Sequence, residues 1–223
     1  NVRTYQLSPS ETRLGADPSG RRELGKGGRE LPAAIAYLRE KQPDALTELI
    51  GHLRNAAPSL SGVRLDYDDA RLLALWFSEE GVGRSWATAE VSDGTLKTLA
   101  LFEPLVDPRY KLLAIEEPEN YIHPWVIKDF VETCREKSTT KQVILTTHSP
   151  VLVSHLKPSE LILVHRTKGA TQMVRAIDLD ESVDQIIRDG IMDLGQYWNS
   201  GAMSAVPGGP RLEFKPPGGD GQD

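Results

Sequence analysis

Lys111-Leu-Leu-Ala-Ile-Glu-Glu-Pro-Glu-Asn-Tyr-Ile-His-Pro124 is the stretch whose reading decides the fold. Leu112–Ile115 is a short unbroken apolar run, the pattern of a strand buried on both faces, and it ends in Glu116, Glu117 and Glu119. Adjacent carboxylates repel each other unless a cation shares them. At the carboxyl end of a parallel strand, where open α/β sheets place their ligands, the fitting cation is a hydrated Mg²⁺ carried by a nucleotide. Pro118 stops the strand. Successive strand residues point to opposite faces, so Glu116 and Glu117 take different roles: one holds the metal's water shell, the other faces the reaction. Taken alone, three carboxylates are equally compatible with a solvated acidic turn.

A second stretch changes that balance. Gln142-Val-Ile-Leu-Thr-Thr-His148-Ser-Pro150 is another apolar strand, ending in hydroxyls, a histidine and a proline, and a helical stretch separates it from the first. Two buried strands with polar residues at the same end and a crossover helix between them form a βαβ unit, which sets their tips side by side.

Composition bounds what these tips can serve. The chain has 223 residues, 39% hydrophobic and 26% charged, enough for one sizeable core or a domain with an appendage. A net charge of −6 argues against a surface built wholly to grip nucleic acid, although a local basic patch remains open. The single Cys134 excludes an internal disulfide and reads as a small, partly buried helix residue. No run approaches the ~20 apolar residues of a membrane helix, and no secretory signal heads the chain, so the expected setting is cytoplasmic.

The chain opens at Asn1 without methionine and reads as the middle of something, with the expectation that an upstream portion was removed or lies on another chain. Residues 8–30 read as loop. Within them Gly20-Arg-Arg-Glu-Leu-Gly-Lys-Gly27 superficially matches a phosphate-binding loop. It is rejected: no apolar strand precedes it, and Gly27 stands where a Ser or Thr would hold Mg²⁺.

From Leu31 to Leu60 the spacing of Ile35, Leu38, Leu46, Leu49, Ile50 and Leu53 predicts two amphipathic helices broken near Pro43. Val63–Asp68, Arg71–Glu79 and Ser85–Glu90 read as strands, with Glu80–Gly83 a hairpin turn and Trp76, Phe77 and Trp86 a cross-strand aromatic cluster. Val91-Ser-Asp-Gly-Thr95 then leads into the helical Leu96–Leu105. Ser92 or Asp93 caps that helix, Gly94 permits close approach of a ligand, and the positive helix end suits a phosphate.

In this order and spacing, the Ser-Asp-Gly-Thr helix start, the Leu-Leu-Ala-Ile-Glu-Glu-Pro-Glu strand end and the Thr-Thr-His-Ser-Pro strand end resemble the C-terminal lobe of ABC-type ATPases. The resemblance is to the SMC/RecF-like, overcoming-lysogenization-defect-like branch often classed as AAA-family ATPases. It covers roughly residues 30–200, including Gly190–Gly201, which looks like the Leu-Gly-x-x-Trp-x-x-Gly ending of many such proteins. It implies an α/β P-loop NTPase fold of the ABC-ATPase type, with mainly parallel strands plus an inserted helical and antiparallel subdomain. Residues 1–90 would be that insertion, 91–205 the lobe carrying signature, Walker B and switch histidine, and 206–223 a flexible tail.

The same resemblance implies site roles. Glu116 takes the Walker B metal position, where many relatives have Asp; Glu117 is the general base; His148 is the switch histidine. Ser92, Asp93, Gly94 and Thr95 form the signature that closes over ATP bound to a second subunit, and Glu119–His123 couples the two sites. The implied cofactors are ATP and Mg²⁺. The implied partners are a missing N-terminal Walker A lobe, a second copy in a head-to-tail homodimer, and DNA or a nuclease effector, in DNA repair or anti-phage defence, with no membrane partner. Without Walker A, the chain alone is expected to be inactive. Three alternatives stand beside this reading. They are a non-catalytic module presenting its signature and Walker B face to a complete ATPase, a metal-dependent hydrolase built on Glu116, Glu117 and His123, and a transporter ATPase.

Overall fold

In a computed structural model the chain is described over residues 2–167, 169–179 and 182–201, and it falls into two compact units, Asn1–His148 and Ser149 onward. In the first unit β1 (Val2–Tyr5) and the short α1 (Pro9–Thr12) precede α2 (Leu31–Lys41) and α3 (Pro43–Ala56). The antiparallel strands β2 (Leu60–Tyr67), β3 (Leu73–Glu79) and β4 (Ser85–Ala87) follow, then α4 (Asp93–Val106), β5 (Leu112–Glu116), α5 (Pro124–Lys137) and β6 (Gln142–Thr146). Pro32 and Pro43 sit in the first turns of α2 and α3, where a missing N–H costs nothing and the fixed φ suits a helix start.

The sheet that carries the carboxylates has the order β1-β5-β6, and all of its pairings are parallel. Crossover α5 joins β5 to β6 as the apolar runs predict, and Glu116 lies opposite Thr146 in the ladder. Val2–Tyr5, which the sequence reading counted with the inserted subdomain, is hydrogen-bonded into this sheet beside Leu112–Ile115. Leu113 and Ile115 are buried on one face. On the other face Val2 is 67% and Ile144 46% exposed.

Helix α4 is the spine of the unit. Its residues from Leu96 to Val106 are all buried. Phe102 stacks on His52 of α3 at 4.1 Å between ring centroids and meets Phe130 of α5 edge-on at 5.7 Å. His52 in turn shares a hydrogen bond of 2.8 Å with Asp129, so it is a satisfied helix-bridging residue. The last carbonyls of α4 are collected by Lys141, whose Nζ donates to Pro104 at 3.1 Å, Leu105 at 2.5 Å and Asp107 at 2.9 Å. A cation there satisfies orphan acceptors and complements the negative helix end.

The second sheet has the order β2-β3-β4. Phe77 pairs with Trp86 across strands and is fully buried, whereas Trp76 pairs with Ala87 and carries Arg64 over its ring. The expected aromatic cluster is therefore one cross-strand pair, because adjacent Trp76 and Phe77 point to opposite faces. β4 ends at Ala87 rather than running to Glu90, since Glu90 turns back and bonds the Ala87 amide at 2.9 Å.

In the second unit α6 (Pro150–Val153), a 3₁₀ turn at Pro158–Glu160, the hairpin β7 (Ile162–Thr167) and β8 (Ala170–Arg175), α7 (Ala176–Leu179), α8 (Ser182–Arg188) and α9 (Leu194–Asn199) follow in order. They close over their own core of Val153, Leu163, Ala176, Val183, Leu194 and Tyr197. Gly195 lets α9 lie against α6: a Cβ there would fall 2.1 Å from the Pro150 carbonyl oxygen. The expected lobe boundary at 205 and the tail 206–223 lie outside the described residues. No helix among the described residues is long and apolar enough to cross a membrane.

Candidate functional site

β5 delivers Glu116 in the ladder and then breaks. Glu117 donates its amide to the Thr146 carbonyl at 2.9 Å, one step beyond the regular pairing, and takes a left-handed φ of 44°. Tyr121, at the far side of the same turn, is also left-handed with φ 68°. Non-glycine residues hold such angles at a cost of about 1–3 kcal/mol each, and they cluster where a side chain must be aimed. Here the aim is fixed by neighbours. Asn120 Nδ2 donates to Glu117 Oε2 at 2.6 Å, and Thr147 Oγ1 donates to Glu119 Oε1 at 2.5 Å. The Glu-Glu-Pro-Glu turn and the end of β6 are thus stitched together. His148 is exposed immediately beyond, and Glu116 and Glu117 are exposed as well.

The start of α4 comes to the same turn. Ser92 caps the helix by accepting from the Thr95 amide at 3.1 Å, and its hydroxyl lies 2.8 Å from that of Thr95. Gly94 rests on the turn: a Cβ built on it would be 3.0 Å from the Tyr121 carbonyl oxygen. One helical turn further, Lys97 is buried and its Nζ donates to the Leu7 carbonyl at 3.1 Å. Burial draws its pKa down to about 8, against the opposing pull of Glu119 and Glu117. Lys97 is therefore a buried cation close behind the carboxylates.

The structure brings Glu116, Glu117 and His148 to adjacent strand ends and sets Gly94 against the turn that follows Glu117. Among the described residues no hydrogen bond joins Ser92, Asp93 or Thr95 to Glu116, Glu117 or His148. The Asp93 carboxylate is engaged by Arg13, with Nη2 at 2.6 Å. The His123 ring lies against that of Trp125, with centroids 3.7 Å apart and planes tilted by 32°. In the Gly20–Gly27 stretch the Gly20 and Gly25 amides are spent on the Asp17 and Arg29 carbonyls, at 3.0 and 2.8 Å.

The sequence reading did not single out Arg13, Lys97 or Asn120. Asn120 could have been noticed as a turn amide three residues past Glu117. The other two become visible only when distant segments meet.

The donor set also bears on a metal. Among the described residues no group of three or more His, Cys, Asp or Glu is arranged to cage an ion. Glu116, with the Thr146 hydroxyl-bearing residue opposite it, offers the hard oxygen chemistry that suits a Mg²⁺ keeping most of its water and arriving on phosphate.

Residues 2–154 match a family profile described as "AAA domain, putative AbiEii toxin, Type IV TA system". No curated protein is detectably similar. Among solved structures, the chain is similar to one from work on ATP-driven dimerization and DNA-stimulated activation of SMC ATPases. The identity is 15%, covering 71% of this chain and 97% of that one, with TM-score 0.49. It is similar to the Smc head domain with an extended coiled coil bound to the C-terminal domain of ScpA from Pyrococcus furiosus: 15% identity, 70% and 40% covered, TM-score 0.49. It is also similar to the Smc head domain with a coiled coil and joint from Pyrococcus yayanosii: 16% identity, 72% and 31% covered, TM-score 0.48. The chain thus spans less than half of those two Pyrococcus chains. No residue role is carried over from any of them.

Proposed function

We infer, because the chain belongs to the AAA domain family described as putative AbiEii toxin, type IV TA system, that it is the part of an ATP-hydrolysing protein that supplies the water-orienting base, the metal-side carboxylate and a phosphate-facing helix start. The observation that supports this most is the convergence at one sheet end: Glu116 opposite Thr146, Glu117 turned out of the strand at φ 44° and held by Asn120, and His148 at the neighbouring tip.

In this reading Glu117 orients the attacking water and accepts its proton, with Asn120 fixing the carboxylate. Glu116 would hold the hydration shell of Mg²⁺, and the ion would neutralise phosphate charge. His148 donates to the terminal phosphate. Ser92, Asp93, Gly94 and Thr95 present the amides and hydroxyls of the α4 start to a phosphate held by a second copy, in a head-to-tail dimer closed by ATP. Exposed Tyr121 and Trp125 beside the turn supply apolar surface for that closure.

The lysine-bearing phosphate loop comes from polypeptide outside the described residues. The support is physical: parallel sheets ordinarily have both faces covered, yet Val2 and Ile144 leave one face open, and among the described residues β6 pairs only with β5. A strand and helix bearing that loop would cover both. The family description favours service in a toxin–antitoxin system, and DNA or a nuclease effector is the partner proposed alongside it. The second reading, a module that presents this face to a complete ATPase without hydrolysing ATP itself, uses the same contacts.

Mg²⁺-ATP turnover separates these readings. The 223-residue chain alone is expected to be silent, and turnover is expected once it is joined to polypeptide bearing the phosphate loop. Turnover by the chain alone, or turnover of the joined protein indifferent to Glu117, contradicts the reading.

A further inference from the structure

Between the end of β4 at Ala87 and the start of α4 at Asp93 the chain has no ladder to hold it. One side chain does so from far along the sequence. Arg13, which caps the end of α1, donates from Nε and Nη2 to Asp93 Oδ1 at 3.2 and 2.6 Å. Its Nη2 also donates to the Val91 carbonyl at 2.8 Å, and its Nη1 to the Thr88 carbonyl. The Thr88 hydroxyl donates back to the Arg13 carbonyl at 3.2 Å. A planar guanidinium presents five N–H donors in a rigid fork that reaches acceptors spread along a loop, whereas a lysine ammonium is a compact point charge with three.

The charge matters as much as the geometry. Asp93 lies in the first turn of α4, where a carboxylate is stabilised by the helix dipole. An ionised carboxylate at that end would repel an arriving phosphate. Paired with Arg13, it is neutralised, and the amides of the helix start stay attractive to an anion.

The geometry points to Arg13 as the positioning residue of the Thr88–Asp93 loop: it fixes the loop so that the start of α4 faces outward and cancels the Asp93 charge, so that this end receives the terminal phosphate of a nucleoside triphosphate. The second half rests on the function proposed above; the first half does not.

Two measurements decide it. In the 223-residue chain, R13M should accelerate amide hydrogen exchange at residues 91–95 by about tenfold or more, while amides of the β2–β3 ladder keep their protection. R13K, which keeps the charge and the fold but loses the fork, should fall between. Unchanged exchange at 91–95 in both variants overturns the clamp, whatever the chain's function. In the protein joined to its phosphate loop, R13M should raise the ATP concentration for half-maximal dimerisation by about tenfold, with monomer affinity for ATP retained. Adding D93N to R13M should recover part of that loss without restoring exchange protection, because it removes the unpaired charge but not the disorder. A half-maximum indifferent to R13M, or no recovery by D93N, overturns the electrostatic half. If the parent protein itself fails to dimerise with ATP, the proposed function falls, while the exchange result still decides the clamp.

Discussion

Gly94 touches the carbonyl oxygen of Tyr121 so closely that a Cβ would sit 3.0 Å away, which makes the start of α4 and the turn after Glu117 one packed piece of the same chain. A larger residue must push one of them aside. G94V is expected to cost about 1–3 kcal/mol, as overpacking commonly does, with the damage concentrated at this junction. Denaturant unfolding of the chain measures the cost, and exchange at residues 117–122 locates it. A neutral G94V with an unchanged turn would show that the contact is not tight.

Glu103 is expected to make the fold pH-sensitive. It is fully buried on α4, both carboxylate oxygens lack a hydrogen-bond partner, and burial together with Asp107 pushes its pKa up to about 8 from an ordinary 4.5. Arg109 and Lys141 oppose that rise, Glu23 adds to it, and the buried Tyr5 and Tyr110 are near neighbours. Below pH 4.5 both the folded and unfolded chains hold the proton. Between about 4.5 and 8 the unfolded chain has released it and the folded chain has not, so stability falls with rising pH by about 1.4 kcal/mol per unit from this group. E103Q removes that slope. Its stability relative to the parent should therefore climb steadily across the window, and parallel stability–pH curves would mean that Glu103 ionises normally in the fold.

The strand ends were legible because their signals are local. Leu112–Ile115 and Val143–Leu145 are apolar runs closed by polar tips, and Ser92 caps its own helix, so each could be read without knowing what it packs against. Pro43 marked the break between two helices for the same reason. The rest depends on distant segments meeting. The short β1, Val2–Tyr5, acquires its meaning only from pairing with Leu112–Ile115. Nothing in the sequence near Arg13 points to Thr88, Val91 or Asp93, nor near Lys141 to the last carbonyls of α4. Leu96–Leu105 reads as an apolar helix, and a fully buried Glu103 within it is visible only once α4 is surrounded.

Ser92 tests whether the helix start serves a nucleotide on a second copy. Its hydroxyl is spent on the Thr95 amide at 3.1 Å, and the residue itself is exposed, so a bulky replacement is expected to fold. In the protein joined to its phosphate loop, S92R should leave each monomer's ATP affinity intact and abolish ATP-driven dimerisation, since the side chain would occupy the place of the partner's phosphate. Sedimentation with and without ATP reads this directly. Dimerisation as ready as the parent's would leave Ser92-Asp-Gly-Thr95 a plain helix cap.

The central claim is the division of labour between the two adjacent carboxylates. The most direct measurement takes E117Q and E116Q in the protein joined to its phosphate loop and compares ATP binding with single-turnover hydrolysis. E117Q, which keeps the shape and the Asn120 contact but loses the base, should bind Mg²⁺-ATP normally and slow hydrolysis by about 10²-fold or more. E116Q should weaken Mg²⁺-ATP binding instead. The reverse pattern, or an E117Q protein that hydrolyses as fast as the parent, would contradict it.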